Sequence, residues 1–270
     1  MQSRSIALVR TTIWRYYRNH MRSLPWRTKI SPYRIFISEV MLQQTQVTRI
    51  KEAFLVFLNQ FPNFTSLADA KPSVVLRAWK GLGYNRRALY LHRAAQIIVK
   101  DFTGRLPKNI ADLEQLPGIG PATARSIAVF AWNRPEIFIE TNIRRVCIYH
   151  FFPTREKVSD QELLPYLHRL IDKKNPREWY YAMMDYGAYL ATRIPNPNRR
   201  SKHYTKQPRF QDSDRELRGK ILQLLLEKRS LKKLRDSHKH DDTMKRLDRI
   251  LQDLVKEGFI KKAGKSYTLV

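Results

Sequence analysis

Apolar residues recur at intervals of three, four or seven through most of the chain, the spacing that lays one greasy stripe along an α-helix. Phe36, Val40, Val47, Ile50, Phe54 and Phe57 follow it, as do Leu163, Leu167, Leu170 and Ile171. Pro62, Pro107, Pro117 and Pro153 fall between such segments, where proline stops or starts helices. Strand-like alternation is almost absent before residue 258. The pattern predicts an all-α body of many short helices over residues 5–190.

The pattern changes at Ile194–Ser213, where three prolines, Asn196, Asn198 and a dense Arg/Lys run read as an extended linker. Three helix-like segments follow, near Asp214–Lys228, Ser230–Ser237 and Thr243–Glu257. The stretch from Gly258 to Val270 reads as a β-hairpin with its turn at Ala263–Lys265. Three helices closed by a basic hairpin predict a small winged-helix-like (α+β) domain. Its third helix would either read DNA or serve a protein interaction.

Charge narrows the set of partners. The 270 residues carry 51 Lys and Arg against 24 Asp and Glu, a formal charge of +27. Residues 196–270 hold 21 of the basic and 10 of the acidic residues, so the excess is spread over the whole chain. Such a surface binds phosphate backbones by counterion release, weakening steeply with salt. No uninterrupted apolar stretch is long enough to span a bilayer, and charges break up the N-terminus before any signal-peptide core forms. A cytoplasmic protein without membrane contact is expected, nucleoid-associated if prokaryotic, and monomeric. One cysteine, Cys147, excludes an intrachain disulfide or a multi-cysteine metal cluster. The histidines form no ligand-like grouping, and Ser38 and Thr45 have no base partner in sequence, so no metal site and no nucleophilic serine are expected. Tryptophans 14, 26, 79, 132 and 179 are spaced as core residues, although Trp26 also has the chemistry to stack on a base.

Two features carry chemistry. Leu116-Pro-Gly-Ile-Gly120-Pro-Ala-Thr-Ala124 lies between helical segments. Gly118 and Gly120 suit a tight turn, and Pro121 suits the first turn of a helix whose free amides favour an anion. A hairpin of this kind grips DNA backbone without reading sequence. The second feature is a pair of carboxylates. Glu39 sits in Ile35-Phe-Ile-Ser-Glu-Val-Met-Leu42, where burial would raise its pKa and keep a proton near neutrality. Glu140 ends the apolar run Ile137-Phe-Ile139 ahead of a helix opening at Thr141, a position that favours the anion. One protonated and one charged acid suit cleavage of a glycosidic bond through a cation-like sugar. Structural roles fit as well: a buried glutamate satisfied by Arg34 or another arginine, and a helix cap.

Leu24-Pro-Trp-Arg27, Ser38-Glu-Val-Met-Leu-Gln-Gln-Thr-Gln-Val47, Trp79-Lys-Gly-Leu-Gly-Tyr84, Leu116-Pro-Gly-Ile-Gly120 and Met184-Asp-Tyr-Gly-Ala188 together resemble the MutY-type adenine DNA glycosylases of the helix-hairpin-helix superfamily, which includes endonuclease III. The resemblance runs from about Leu24 to Thr192. It implies a two-lobed helical body over residues 1–195, with residues 28–133 as the central lobe and 1–27 plus 134–195 as the second. A basic linker at 196–212 and the winged-helix-like domain at 213–270 follow. By the same resemblance, DNA crosses the cleft and the target nucleotide is flipped out, which costs a few kcal/mol and least at a mispair. Glu39 would protonate the departing base and Glu140 would stabilise the sugar cation and position water. Gln43, Gln44, Tyr84, Ala122 and Asn142 would line the pocket. Asn85, Arg86, Gly118, Gly120 and Thr123 would contact DNA, and composition alone adds Arg199, Arg200 and Lys202 as phosphate contacts.

Departures from the family pattern shape the expectation. Glu140 stands where aspartate is usual, one methylene longer. Ala122 replaces the nucleophilic lysine of the bifunctional branch, which predicts base removal without efficient strand cleavage. Asn85 replaces a second tyrosine that normally wedges into the duplex. Ala191 sits where the first of four cluster-binding cysteines would be, so no iron–sulfur cofactor is expected. The C-terminus lacks the Nudix-like domain that examines 8-oxoguanine. The expected function is a monofunctional glycosylase in base excision repair acting on double-stranded DNA with a mismatched or damaged base, adenine opposite 8-oxoguanine or guanine. Two rivals are a thymine or uracil mismatch glycosylase on the same scaffold and a catalytically inactive DNA-binding protein.

Overall fold

A computed structural model describes residues 5–206, 209–227, 229, 231, 241–264 and 266–270, without the side chains of 241–243. Apart from Leu231, the helix-like segment expected at Ser230–Ser237 lies outside them, as does Lys265 of the hairpin turn. The chain divides into two compact units. The first comprises Met1–Glu39, Pro107–Gln115 and Ile119–Lys206, and the second Val40–Leu106, Leu116–Gly118 and Gln207–Val270.

The first unit is built on α1 (Ile6–His20), α2 (Pro25–Thr28), most of α3 (Pro32–Leu42), α8 (Ile110–Gln115), α9 (Pro121–Trp132), α10 (Thr141–Phe151), α11 (Asp160–Leu170) and α12 (Pro176–Arg193). Its core gathers Val9, Ile13, Phe130, Val146, Leu163 and Trp179. Helix α12 packs on α1 and α10. The α10 crossing is close enough to need Gly187, because a Cβ there would lie 2.6 Å from the Asn142 carbonyl oxygen.

One buried acid ties the start of the chain to α12. Asp185 accepts from the Arg22 backbone N–H at 2.9 Å and from Arg22 Nε at 2.6 Å. Arg27 adds a two-pronged contact, Nη1 and Nη2 each at 2.9 Å. The carboxylate is fully enclosed, and such a group is tolerated only when charge and hydrogen bonds both meet it.

The segment expected as an extended linker is packed at its start. Residues Pro197–Arg200 form a 3-10 turn against α10, and Val158 pairs with Ser201 in an isolated parallel bridge. Buried Asn198 donates to the Thr141 carbonyl at 2.9 Å. Proline and asparagine here make a tight turn on the body, and a buried turn cannot behave as a tether.

The second unit contains α4 (Val47–Gln60), α5 (Phe64–Ala68), α6 (Pro72–Ala78) and α7 (Arg86–Asp101), followed by α13 (Asp214–Leu226), α14 (Asp241–Lys256) and strands β1 (Ile260–Ala263) and β2 (Ser266–Leu269). The strands are antiparallel with Ile260 opposite Leu269 and Ala263 opposite Ser266. Phe57 meets Trp79 edge to face at 6.0 Å in its core. The C-terminal residues pack within this unit through charge. Glu257 accepts from Arg86 and Arg218, and its backbone carbonyl accepts from Arg93 at 3.0 Å. The all-α body with a small α+β end, read from periodicity, is the architecture observed. Among the described residues no helix is long and apolar enough to cross a membrane.

Removing the Asp185 charge leaves Arg27 enclosed without its counter-ion. Asp185→Asn is expected to cost about 3–5 kcal/mol of unfolding free energy, read from the denaturant midpoint. A midpoint equal to that of the unaltered protein would show that this pair does not hold the N-terminal segment to α12.

Candidate active site

The two candidate carboxylates fall in the same unit. Glu39 lies on α3 among Ile35, Phe36, Ile37, Ser38 and Val40, all buried. Burial is the largest influence on its carboxyl and pushes the pKa up to about 7. The Ser126 hydroxyl opposes that by donating to Oε2 at 2.6 Å, and the Arg27 charge pulls the same way. The negative charge of Glu140 raises it further, so the two groups share one electrostatic neighbourhood.

Ser126 is the neighbour that sequence reading missed. It follows Ala122 by one helical turn on α9, and its hydroxyl also reaches the Thr123 carbonyl at 2.9 Å. One hydroxyl proton cannot serve both acceptors at once. With Glu39 ionised, Ser126 donates to the carboxylate. With Glu39 protonated, the acid donates to Ser126, which turns to the carbonyl. The cradle fits either state, as a group that gains and loses a proton needs.

Glu140 caps α10. Its Oε1 accepts from the backbone N–H groups of Asn142 and Ile143 at 2.7 and 2.8 Å, and Oε2 from Asn142 Nδ2 at 3.2 Å. Arg145 Nη1 fixes that amide by donating to Asn142 Oδ1 at 2.7 Å and to the Gly187 carbonyl at 2.9 Å. The helix start supports the charged form of Glu140 through these donors, yet its pKa lies above the ordinary carboxylate value. Burial is the largest cause and outweighs the two N–H groups, Arg145 and Arg144. The two acids therefore differ in degree of support for the charge: one hydroxyl and one arginine serve Glu39, while two backbone amides, a side-chain amide and two arginines serve Glu140.

The hairpin is formed as read, with one change of reason. Gly118 has φ +80°, and a Cβ there would press on the Tyr90 ring at 3.0 Å. Gly120 has φ −91° and open space beside it, so neither strain nor crowding demands glycine. It is the N-cap of α9 with no side-chain cap, which leaves the Ala122 amide of the first turn facing outward for an anion.

In the second unit, Gln43 donates to the Gly118 carbonyl at 3.1 Å. Gln44 and Tyr84 both have positive φ, +53° and +46°, a conformation uncommon outside glycine. Buried Arg87 holds the two turns that carry them. Its Nη1 donates to the carbonyls of Val40 at 2.9 Å and Met41 at 2.8 Å, and to that of Gln43. Its Nη2 donates to Thr45 Oγ1 at 2.8 Å and to the Leu82 and Gly83 carbonyls at 3.2 Å each. Burial lowers its pKa to about 10, which leaves it charged at neutrality.

Two of the other expected contacts also have partners within the fold. Arg86 pairs with Glu257, and Arg200 donates to the carbonyls of Phe152 and Pro153 beyond the end of α10. Arg199 and Lys202 are exposed, and Asn85 begins α7. Trp26 is buried, so core packing accounts for it. Cys147 is fully buried on α10, and burial raises its thiol pKa. A cubane iron–sulfur cluster needs four thiolates, and a chain with one enclosed thiol does not fit it. Among the described residues no group of three or more His, Cys, Asp or Glu is placed to hold a metal.

The signature of HhH-GPD superfamily base excision DNA repair proteins matches residues 37–171. The adenine DNA glycosylase of Buchnera aphidicola subsp. Baizongia pistaciae is 34% identical over 181 residues, covering 66% of this chain and 52% of its own length. That of Mycolicibacterium smegmatis is 32% identical over 238 residues, covering 82% of this chain and 80% of its own. The chain thus spans about half the length of the first relative and four fifths of the second. Among solved structures, a thermostable thymine-DNA glycosylase superposes with TM-score 0.61 at 23% identity, over 68% of this chain and 86% of that one. Endonuclease III trapped as a covalent intermediate with DNA gives 0.58 at 16% identity, over 69% and 87%. The chain belongs to the HhH-GPD superfamily of base excision DNA repair proteins.

Proposed function

We propose that the chain is a monofunctional DNA glycosylase that hydrolyses the N-glycosidic bond of a flipped adenine mispaired with 8-oxoguanine or guanine. The observation that carries this reading is the pair of coupled carboxyl groups in one unit, Glu39 raised to about 7 and Glu140 fixed at the start of α10. Relatives named adenine DNA glycosylase support the choice of base.

The chemistry follows from the two environments. Glu39 gives its proton to a ring nitrogen of the extruded base. The bond to C1′ breaks, and its electron pair leaves with the base. Glu140 as the carboxylate faces the cation-like sugar. Water then bonds to C1′ through oxygen and gives its proton to that carboxylate, leaving an abasic sugar. Ala122 offers no amine to attack C1′, which supports hydrolysis without efficient strand cleavage. No step calls on a cofactor. The Ala122 amide at the start of α9, with exposed Arg199 and Lys202, supplies phosphate contacts that fix the duplex without reading it.

Duplexes carrying each mispair, followed by hot alkali, test the reading. Adenine release opposite 8-oxoguanine or guanine supports it, while release of thymine or uracil, or of no base, overturns it. Strand breaks without alkali at the rate of base loss would contradict the monofunctional assignment.

Glu39→Gln is expected to abolish release while sparing DNA affinity, and undiminished turnover would remove Glu39 from the chemistry. The rate for the unaltered protein should fall as pH rises through about 7, as the acid is lost. The same group gives a stability signature. Because its folded pKa is raised, its contribution is fully present below about 4.5 and is lost as pH rises through about 7. Glu39→Gln should therefore melt at a higher temperature than the unaltered protein above pH 7, by roughly 2–4 °C per kcal/mol relieved.

Glu140→Gln separates charge from capping. Its amide oxygen still accepts from Asn142 and Ile143, so stability should change by under about 1 kcal/mol. Single-turnover release should fall about 10²–10³-fold, the scale expected when one electrostatic support of a transition state is removed. A rate within a few-fold of the original would leave Glu140 as a cap alone.

A further inference from the structure

Phe210 is 61% exposed, yet its backbone is held firmly. Its carbonyl accepts from the Ser213 N–H at 3.2 Å and from the Ser213 hydroxyl, in the turn that opens α13. Arg246 Nη2 pins the same turn by donating to the Asp212 carbonyl at 2.8 Å. A ring displayed to water on a fixed backbone differs from a loose apolar side chain on a mobile end.

Its surroundings point to a ligand class. The Arg215 guanidinium lies 6.0 Å from the Phe210 ring centre and 5.9 Å from that of Tyr84. Arg215 Nη1 also donates to the Tyr84 hydroxyl at 3.0 Å. Arg209, next along the chain, is exposed. An aromatic face flanked by guanidinium groups on a strongly basic chain matches a flat π-system joined to phosphate. It does not match an apolar peptide, which gains nothing from the arginines. Asn85 begins α7 immediately after Tyr84 and offers no ring of its own.

We propose that Phe210 is a DNA-contacting residue that stacks on the nucleobase left without a partner when the opposite base is extruded. Arg215 is a positioning residue that sets the spacing between Phe210 and Tyr84. The aromatic surface that α7 lacks at its start is thereby supplied from the C-terminal segment within the same unit. The inference rests on the glycosylase reading, because only a flipping enzyme creates that unpartnered base.

Affinity for two duplexes tests it, one fully paired and one carrying a normal base opposite a stable abasic analogue. Phe210→Ala should lose roughly 5- to 150-fold on the second duplex, the range for one base–aromatic stack. Binding to the paired duplex should be unchanged. Phe210→Trp should restore the difference. The truncated side chain is exposed, so the fold is not at stake, and an unchanged melting temperature checks this. Equal loss on both duplexes, or none on either, overturns the inference. Adenine release by the unaltered protein is measured alongside. Release with no Phe210 effect sinks this inference alone, whereas no release from any mispair sinks the glycosylase reading beneath it.

Discussion

A carboxyl group half-buried among apolar side chains keeps its proton near neutrality when nearby positive charge is already spoken for. Glu39 meets that condition through Arg27. The guanidinium is within electrostatic reach of Glu39 and pulls its pKa down, but both prongs of its fork are bound to Asp185. The buried ion pair between α2 and α12 therefore does more than hold the N-terminal segment. It fixes the cation in place and answers its charge, so that desolvation is left as the larger influence on the acid.

The second carboxylate depends on a backbone approach. Gly187 lets α12 pass against Asn142, Arg145 locks the Asn142 amide to the Gly187 carbonyl, and that amide supports Glu140. A longer side chain than the family's usual aspartate is accommodated because two backbone N–H groups and an amide receive it. The two carboxyl groups are thus set by different devices: Glu39 by desolvation among apolar neighbours, Glu140 by how many donors converge on it. That contrast is what two-carboxylate glycosidic chemistry requires.

Much of this was legible in the chain. Periodicity gave an all-helical body because amphipathic stripes are local, and Phe36, Ile50, Phe54, Phe57 and Leu163 are buried where the spacing put them. Glu39 stood out because its apolar neighbours are adjacent in sequence. Ser126, Arg87, Asp185 and Arg215 were silent as chemistry because their partners are far away along the chain, as with Arg215 and Tyr84. Asp185 left the clearest missed signal, an acid inside the largely apolar α12. Arg86 and Arg200 read as DNA contacts in sequence, and composition cannot show that Glu257 and the end of α10 also bind them. For Glu140 the helix start is visible in sequence, but the burial that raises its pKa is not.

The central claim concerns one proton, and it is most directly tested by following the Glu39 carboxyl carbon by NMR across a pH titration, its signal identified by its loss in Glu39→Gln. A midpoint near 7 is expected. A midpoint at the ordinary value of about 4.5 would mean that the group is ionised at neutrality, and the acid assigned to release the base would not exist.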